Sequence, residues 1–278
     1  MKVSVLIPTL NEVRNIAACL ESVRWADEVV VVDSGSRDGT VERARELGAR
    51  VVPFDWKGRL PKKKNWALAN VAWRNDWVLV LDADERVTPE LAEEVQSELQ
   101  RPRADGYFIN RRFVFLGKWI RHCGYYPSWN MRLFRHRLGR YESVEVGDAG
   151  SGDNEVHEHV VLNGRCAHLK NDLLHFAYPD IYTWVEKHNR YSNWEARVEL
   201  AGAGERERRI GARLTWRRRL RAWSRRLPFR PTLRFWYSYV WQRGFLDGRA
   251  GLTFCRLLAA YEMLIVYKAR EGGRREKR

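Results

Sequence analysis

Cysteine is scarce in this 278-residue chain, and its four copies, Cys19, Cys123, Cys166 and Cys255, form no CxxC pair. That spacing excludes a zinc ribbon or a disulfide framework and fits a reducing compartment. No contiguous apolar run approaches the roughly 20 residues that cross a bilayer. The longest, Leu257 to Tyr267, is short and carries Glu262, so a spanning helix is not expected. The opening residues up to Pro8 lack the long apolar region and small-residue cleavage site of a signal peptide, and read as a buried strand. His157-Glu158-His159 is not a zinc-hydrolase motif, because HExxH requires histidine where Val161 stands. There is no internal repeat, no glycine-rich phosphate loop near the N-terminus and no known nucleic-acid recognition module. Acidic residues are also in deficit, 35 against 50 Lys and Arg, a net charge of +15. The partner or working surface is therefore expected to be anionic: a phosphorylated substrate, an anionic lipid face or nucleic acid.

What is present is a core. At 45% hydrophobic the chain can bury one large α/β domain and a smaller appendage. Apolar β-branched runs at Val3–Pro8, Glu28–Val32, Arg50–Phe54 and Trp77–Leu81 alternate with segments of helical spacing. Gly48 is placed to end the second helix, and Pro89 sits in the first turn of another. Alternation of this kind predicts right-handed crossovers and a mostly parallel sheet. Ligands bind such sheets beyond the carboxyl ends of the strands. The loops there carry Asn11 and Glu12, then Asp33, then Asp82 and Asp84, which predicts an acidic cleft in a basic protein. From Gly106 to about Ala177 the pattern reads as short strands and loops, and from Ile181 onward as basic helix.

Asp82-Ala83-Asp84 follows a buried strand directly. Two carboxylates there need a counter-charge, and Mg²⁺ or Mn²⁺ bridging to a diphosphate would supply it. The same residues also suit a solvated turn that caps the next helix. Three readings remain open at this point: a glycosyl-transfer enzyme, a nucleotidyltransferase, and a basic nucleic-acid-binding protein.

Val5-Leu6-Ile7-Pro8-Thr9-Leu10-Asn11-Glu12, Val31-Val32-Asp33-Ser34-Gly35-Ser36-Arg37-Asp38-Gly39-Thr40 and Asp82-Ala83-Asp84-Glu85 resemble, in order and spacing, the GT-A glycosyltransferases of family 2. Asn154-Glu155-Val156-His157-Glu158 and Arg243-Gly244-Phe245-Leu246-Asp247-Gly248-Arg249-Ala250-Gly251 resemble a narrower branch that contains bacterial lipopolysaccharide-core β-glucosyltransferases. The resemblance implies a Rossmann-like GT-A domain over residues 1–180, a basic helical region over 181–270 and a frayed tail over 271–278. It implies that Pro8, Thr9, Asn11 and Glu12 line the nucleotide pocket, with Asp33 near the base or ribose. Asp82 and Asp84 would meet the donor diphosphate, Asp84 and His175 would hold the metal, and Glu158 would be the base of an inverting transfer. His168 is a weaker metal candidate. Lys62, Lys63 and Lys64 suit a solvated face, with Lys64 kept as a counter-charge to the diphosphate. Trp129, Arg132, Tyr125 and Tyr126 suit either an acceptor site or core packing.

The implied donor is a UDP-sugar, UDP-glucose above others. The implied acceptor is lipid-linked or lipopolysaccharide, and nucleic acid is not an expected partner. The Arg/Trp mixture from Ile210 to Trp241, with Trp216, Trp223, Phe235 and Trp236, reads as an interfacial segment. It predicts a cytoplasmic protein held peripherally on the inner face of the membrane.

Overall fold

A computed structural model describes residues 2–58, 60–142, 159–200 and 229–275. The chain forms two compact units, one of Met1–Val114 with Tyr126–Ala177, the other of Phe115–Tyr125 with Tyr178–Arg278.

In the first unit β1 (Val3–Thr9) is buried along its whole length, as a run of apolar residues in the middle of a covered sheet must be. It pairs in parallel with β2 (Glu28–Asp33) on one side and β4 (Trp77–Val80) on the other, and β3 (Arg50–Pro53) extends β2. Successive side chains of β1 serve opposite layers. Val3, Val5 and Ile7 pack with Ile16 and Leu20 of α1 (Val13–Ser22) and with Leu91 and Val95 of α4 (Pro89–Glu98). Leu6 packs on the other face with Ala67 and Leu68 of α3 (Lys63–Asn70). Between β2 and β3, α2 (Thr40–Glu46) ends at Gly48, whose φ of 83° supplies the left-handed turn. Thr88 caps α4 by accepting the Leu91 N–H.

The expectation of a mostly parallel sheet needs correcting beyond β4. The path runs β3-β2-β1-β4-β8-β6-β11-β5, and β8 (Trp129–Arg135) pairs antiparallel with β4 and with β6 (Gly106–Phe115). Residues 106–177 therefore supply long strands, not only short ones: β6 has 10 residues and β11 (Cys166–Tyr178) has 13. Asp82–Asp84 carries the chain from β4 to β5 (Glu85–Val87), which pairs antiparallel with β11 and sets His175 opposite Glu85. A separate ribbon joins β9 (Gly139–Tyr141) to β10 (Val160–Leu162).

The second unit contains the short β7 (Lys118–Trp119) and α5 (Ile181–Leu200). After these come α6 (Arg230–Trp236), a π turn at Tyr237–Trp241, a 3₁₀ turn at Gly244–Asp247 and α7 (Gly248–Arg275). The motif Arg243–Gly251 builds the corner between the last two. A Cβ on Gly251 would stand 2.2 Å from the Gly244 carbonyl oxygen, and one on Gly244 would stand 2.8 Å from both Cys123 Sγ and Cys255 Sγ. Buried Asp247 accepts the backbone N–H of His122 at 2.9 Å and meets His122 Nδ1 at 2.9 Å.

Two expectations about α7 change. The span Gly244–Gly273 is long and apolar enough to cross a membrane by length and composition, although no contiguous run reveals it. Arg256, Glu262 and Lys268 interrupt the run, and they are spaced so that an 18-residue window still passes. Within the unit α7 serves as a packing helix, burying Phe254, Cys255, Leu258 and Ile265. Its Lys268 donates to the Asn189 carbonyl at 2.7 Å and to Ser192 Oγ at 2.8 Å on α5. It also continues to Arg275, into the stretch expected to fray.

Candidate active site

The carboxyl ends of β1, β2 and β4 lie side by side in register, Thr9 opposite Asp33. Asp33 is buried and fully engaged. One oxygen accepts the N–H groups of Gly35 and Ser36 at 2.9 and 2.7 Å, and the other accepts Thr9 Oγ1 at 2.9 Å and Ser36 Oγ at 2.5 Å. Four hydrogen bonds use the acceptor capacity of a carboxylate. Asp33 therefore shapes the loop after β2, at the carboxyl edge of the sheet where it was expected to lie near the base or ribose. Asn11, at φ 57°, joins the same stitching: its N–H donates to Ser36 Oγ, and its Oδ1 accepts the Arg37 N–H. Glu12 donates its N–H to Thr40 Oγ1 and accepts Asn15 Nδ2 at 2.8 Å. Pro8 and Thr9 close the strand, and the Thr9 carbonyl accepts Lys63 Nζ at 2.5 Å.

Lys62, Lys63 and Lys64 are all buried, so the solvated-face reading of that run is wrong. A buried ammonium persists only beside an anion. Lys64 Nζ lies 2.9 Å from Asp82 Oδ1, and the Tyr141 ring sits 5.2 Å from the same ammonium. The other Asp82 oxygen meets Arg132 NH2 at 2.6 Å, and that nitrogen also meets Glu85 Oε1 at 2.6 Å. Arg111 approaches the same Glu85 oxygen at 3.4 Å. Lys64, Asp82, Arg132, Glu85 and Arg111 thus form a charge lattice behind the loop. Burial works to raise the Asp82 pKa, but the Arg132 and Lys64 cations hold it well below the usual carboxylate range. Burial works to lower Lys64, and the Asp82 charge more than offsets it, leaving Lys64 above the ordinary lysine value. Arg132 belongs to this lattice rather than to an acceptor wall. Its partner Glu85, fully buried, was not among the expected site residues, although a charge inside a strand beside two aspartates was the available signal.

Asp84, at the end of the same loop, faces His175. Its Oδ1 is 3.5 Å from His175 Nε2, and its carbonyl accepts the Phe176 N–H at 2.8 Å. The register of β5 on β11 makes that juxtaposition, bringing together two residues 91 positions apart in sequence (175 − 84). Beneath the loop, Arg86 donates to the Ala83 carbonyl at 2.7 Å and to the Asn15 carbonyl at 3.0 Å, which ties Asp82–Asp84 to α1. A carboxylate beside an imidazole suits a divalent ion that takes the rest of its shell from phosphate oxygens and water. The residues present therefore fit Mg²⁺ or Mn²⁺ at Asp84 and His175, with Asp82 committed to its cations. Among the described residues, no set of three or more His, Cys, Asp or Glu side chains is arranged for a metal.

His168 is exposed on β11, stacked at 4.9 Å on Phe108 and edge-on at 4.7 Å to Trp129. Tyr126 donates to Asp172 at 3.2 Å, and Tyr125 packs edge-on against Phe254 at 4.6 Å. Asn65 holds the β9 end by exchanging hydrogen bonds with the Tyr141 backbone. Glu158 and its neighbours Glu155 and His157 lie outside the described residues.

The sequence profile described as Glycosyl transferase family 2 matches residues 4–159. An uncharacterized glycosyltransferase of Rickettsia conorii is 28% identical, over 99% of this chain and 92% of that protein. The lipopolysaccharide core biosynthesis glycosyltransferase LpsC of Rhizobium meliloti is 28% identical, over 94% of this chain and 91% of that protein. Among solved structures, residues 1–349 of S. aureus TarS in complex with UDP align at TM-score 0.46 and 18% identity, covering 100% of this chain and 92% of that one. Glucosyl-3-phosphoglycerate synthase from Mycobacterium tuberculosis, in complex with Mn²⁺, UDP and glucosyl-3-phosphoglycerate, aligns at TM-score 0.37 and 23% identity. That match covers 49% of this chain and 57% of that one.

Proposed function

This chain belongs to glycosyl transferase family 2, and from that premise we propose that it moves a hexose, glucose first among the choices, from a UDP-sugar to a lipid-linked or lipopolysaccharide-core glycan with inversion. The observation that carries the reading is the division of labour between the two aspartates. Asp82 is fixed by two buried cations, while Asp84 faces His175 at the end of the same loop.

Asp84 and His175 would hold Mg²⁺ or Mn²⁺, which supplies charge neutralisation for a departing diphosphate when bound. Lys64 and Arg132 keep Asp82 ionised and oriented before the donor arrives, so no reorganisation is needed at the moment of transfer. The stitched loops of Asn11, Glu12 and Asp33 form the wall on which the nucleoside would rest. Glu158 is the proposed base: it would accept the proton of the acceptor hydroxyl as that oxygen attacks the anomeric carbon opposite the leaving diphosphate. The Rhizobium meliloti relative is named for lipopolysaccharide core biosynthesis, which supports that acceptor class. Such an acceptor would place the enzyme in the cytoplasm, peripherally on the inner face of the membrane, with an anionic lipid surface as partner.

The test is a panel of nucleotide-sugars with and without Mn²⁺, scored by thermal stabilisation. A donor at about a hundred times its Kd stabilises by about 2.7 kcal/mol, a shift of several degrees. Asp84→Asn is expected to remove the Mn²⁺-dependent part of that shift. Glu158→Gln is expected to keep the shift and lose turnover. A panel in which no nucleotide-sugar stabilises the protein, or in which chelator changes nothing, overturns the reading.

A further inference from the structure

The second unit carries a stripe of large apolar side chains that its own core does not use. Leu233, Trp236, Tyr237, Val240 and Trp241 fall at i, i+3, i+4, i+7 and i+8 along α6 and the π turn, a spacing that gathers them on one side of a short helix, and Phe229 precedes them at the helix start. All six are exposed, Phe229 by 79%, Trp236 by 56% and Trp241 by 77%. Phe245 and Leu246 continue the exposed apolar surface into the 3₁₀ turn. The segment is anchored in its own unit. Ser238 is fully buried, and Arg230 pairs with Glu199 on α5 and with Glu262 on α7. The stripe is therefore held outward by its own unit and is not a loose terminus.

Charge narrows the choice of occupant. Between Phe229 and Arg249 the basic residues are Arg230, Arg234, Arg243 and Arg249, and the single acid is Asp247, buried in its hydrogen bonds to the His122 segment. Arg243 and Arg249, in the same segment, are exposed. Its outward charge is thus of one sign, on a chain of net charge +15. Two indoles, a phenol and a benzyl ring in one segment with exposed guanidinium groups match the boundary between lipid headgroups and acyl chains. There the rings lie at the apolar edge and arginines reach phosphate. A protein partner would need complementary acidic pockets, whereas a lipid face needs only depth and negative charge.

We propose that the Phe229–Leu246 surface is an interfacial docking face for anionic phospholipid, with Trp236 and Trp241 as its inserted anchors. It builds on the membrane-side reading above and assigns that contact to named residues. α7 then serves as the strut behind the face rather than as a spanning segment.

The experiment uses the full chain with vesicles of phosphatidylethanolamine and phosphatidylglycerol, and with phosphatidylcholine alone. Sedimentation gives the partition coefficient, and quenching by brominated acyl chains reports indole depth. Wild type is expected to bind the anionic vesicles with quenching. Trp236→Ser/Trp241→Ser is expected to lose more than about tenfold in partition, the order that two indoles withdrawn from an interface would give. Both side chains are exposed, so the double variant should keep its melting temperature and its donor-induced shift, which separates this proposal from the one about the donor. Wild type that stays in the supernatant overturns it, including the case where the stripe pairs with a second copy and the variant dissolves a dimer. A double variant that binds like wild type, or equal binding to phosphatidylcholine, also overturns it.

Discussion

At the scale of single residues the site is organised by what each charge must do to stay buried. Glu85 is fully buried and depends on Arg132, with Arg111 farther off. Arg132→Met strands that carboxylate, and a broken buried pair of this kind costs about 3–5 kcal/mol. Adding Glu85→Gln to Arg132→Met should return part of the loss in a denaturant titration, because the stranded charge is then gone. If the double variant is no better than the single, the lattice is not what holds the loop. Lys64→Met should show itself in pH dependence. The Asp82 pKa is depressed by Arg132 and Lys64, so its contribution is present above the unfolded value near ~3.9 and is lost as pH falls through the folded one. The Lys64 pKa is raised by Asp82, so its contribution is present below ~10.4 and is lost as pH rises through the folded value. The gap in melting temperature between wild type and Lys64→Met is therefore expected to be widest between those limits and to shrink on either side. A gap independent of pH would remove Lys64 from the pair. Little of this lattice was legible in the sequence. A lysine run is read as a solvated face unless the position of its counter-ions is known, and Asp82, Arg132 and Glu85 meet only once β4, β8 and β5 are assembled. The proximity of Asp84 and His175 was anticipated only because a resemblance tied them together, and the fold supplies its cause in the β5–β11 register.

At the scale of elements, periodicity found the parallel half of the sheet, where buried strands are uniformly apolar and helices follow at regular intervals. It missed the antiparallel half for a physical reason. β6 carries Arg111 and Arg112, and its register slips between Tyr107 and Phe108, so alternation breaks within a single strand. The Arg243–Gly251 motif was legible as a branch signature but not as a structure. Gly244 and Gly251 are explained by crowding at the corner before α7, and Gly248 by its φ of 62°. Gly251→Ala would push a methyl group to 2.2 Å from the Gly244 carbonyl oxygen, closer than any Cβ tolerates. Overpacking of this sort typically costs about 1–3 kcal/mol, to be read as a lower denaturation midpoint. Gly35→Ala meets no atom within 4 Å, but its φ of 86° charges the same change to the backbone alone. Gly251→Ala should therefore be the worse of the two, and equal losses would mean that the corner relaxes.

At the scale of the whole molecule, one net charge of +15 serves two surfaces with different exposure to salt. Raising NaCl from about 0.1 M to about 1 M shortens the Debye length from about 10 Å to about 3 Å, which screens exposed charges and leaves buried pairs largely unaffected. Arg243 and Arg249 stand in solvent in the same segment as the aromatic stripe, so vesicle binding should weaken steeply over that range and leave only the part the indoles contribute. Lys64 and Arg132 are buried against Asp82, with side chains 4% and 5% exposed, so donor-induced stabilisation in Mn²⁺ should fall far less. Both responses can be measured on one preparation, by sedimentation with anionic vesicles and by melting temperature with the best nucleotide-sugar. If donor stabilisation collapses in parallel with vesicle binding, the donor is held by exposed charge rather than by the cations behind Asp82, and the division of labour between Asp82 and Asp84 fails with it.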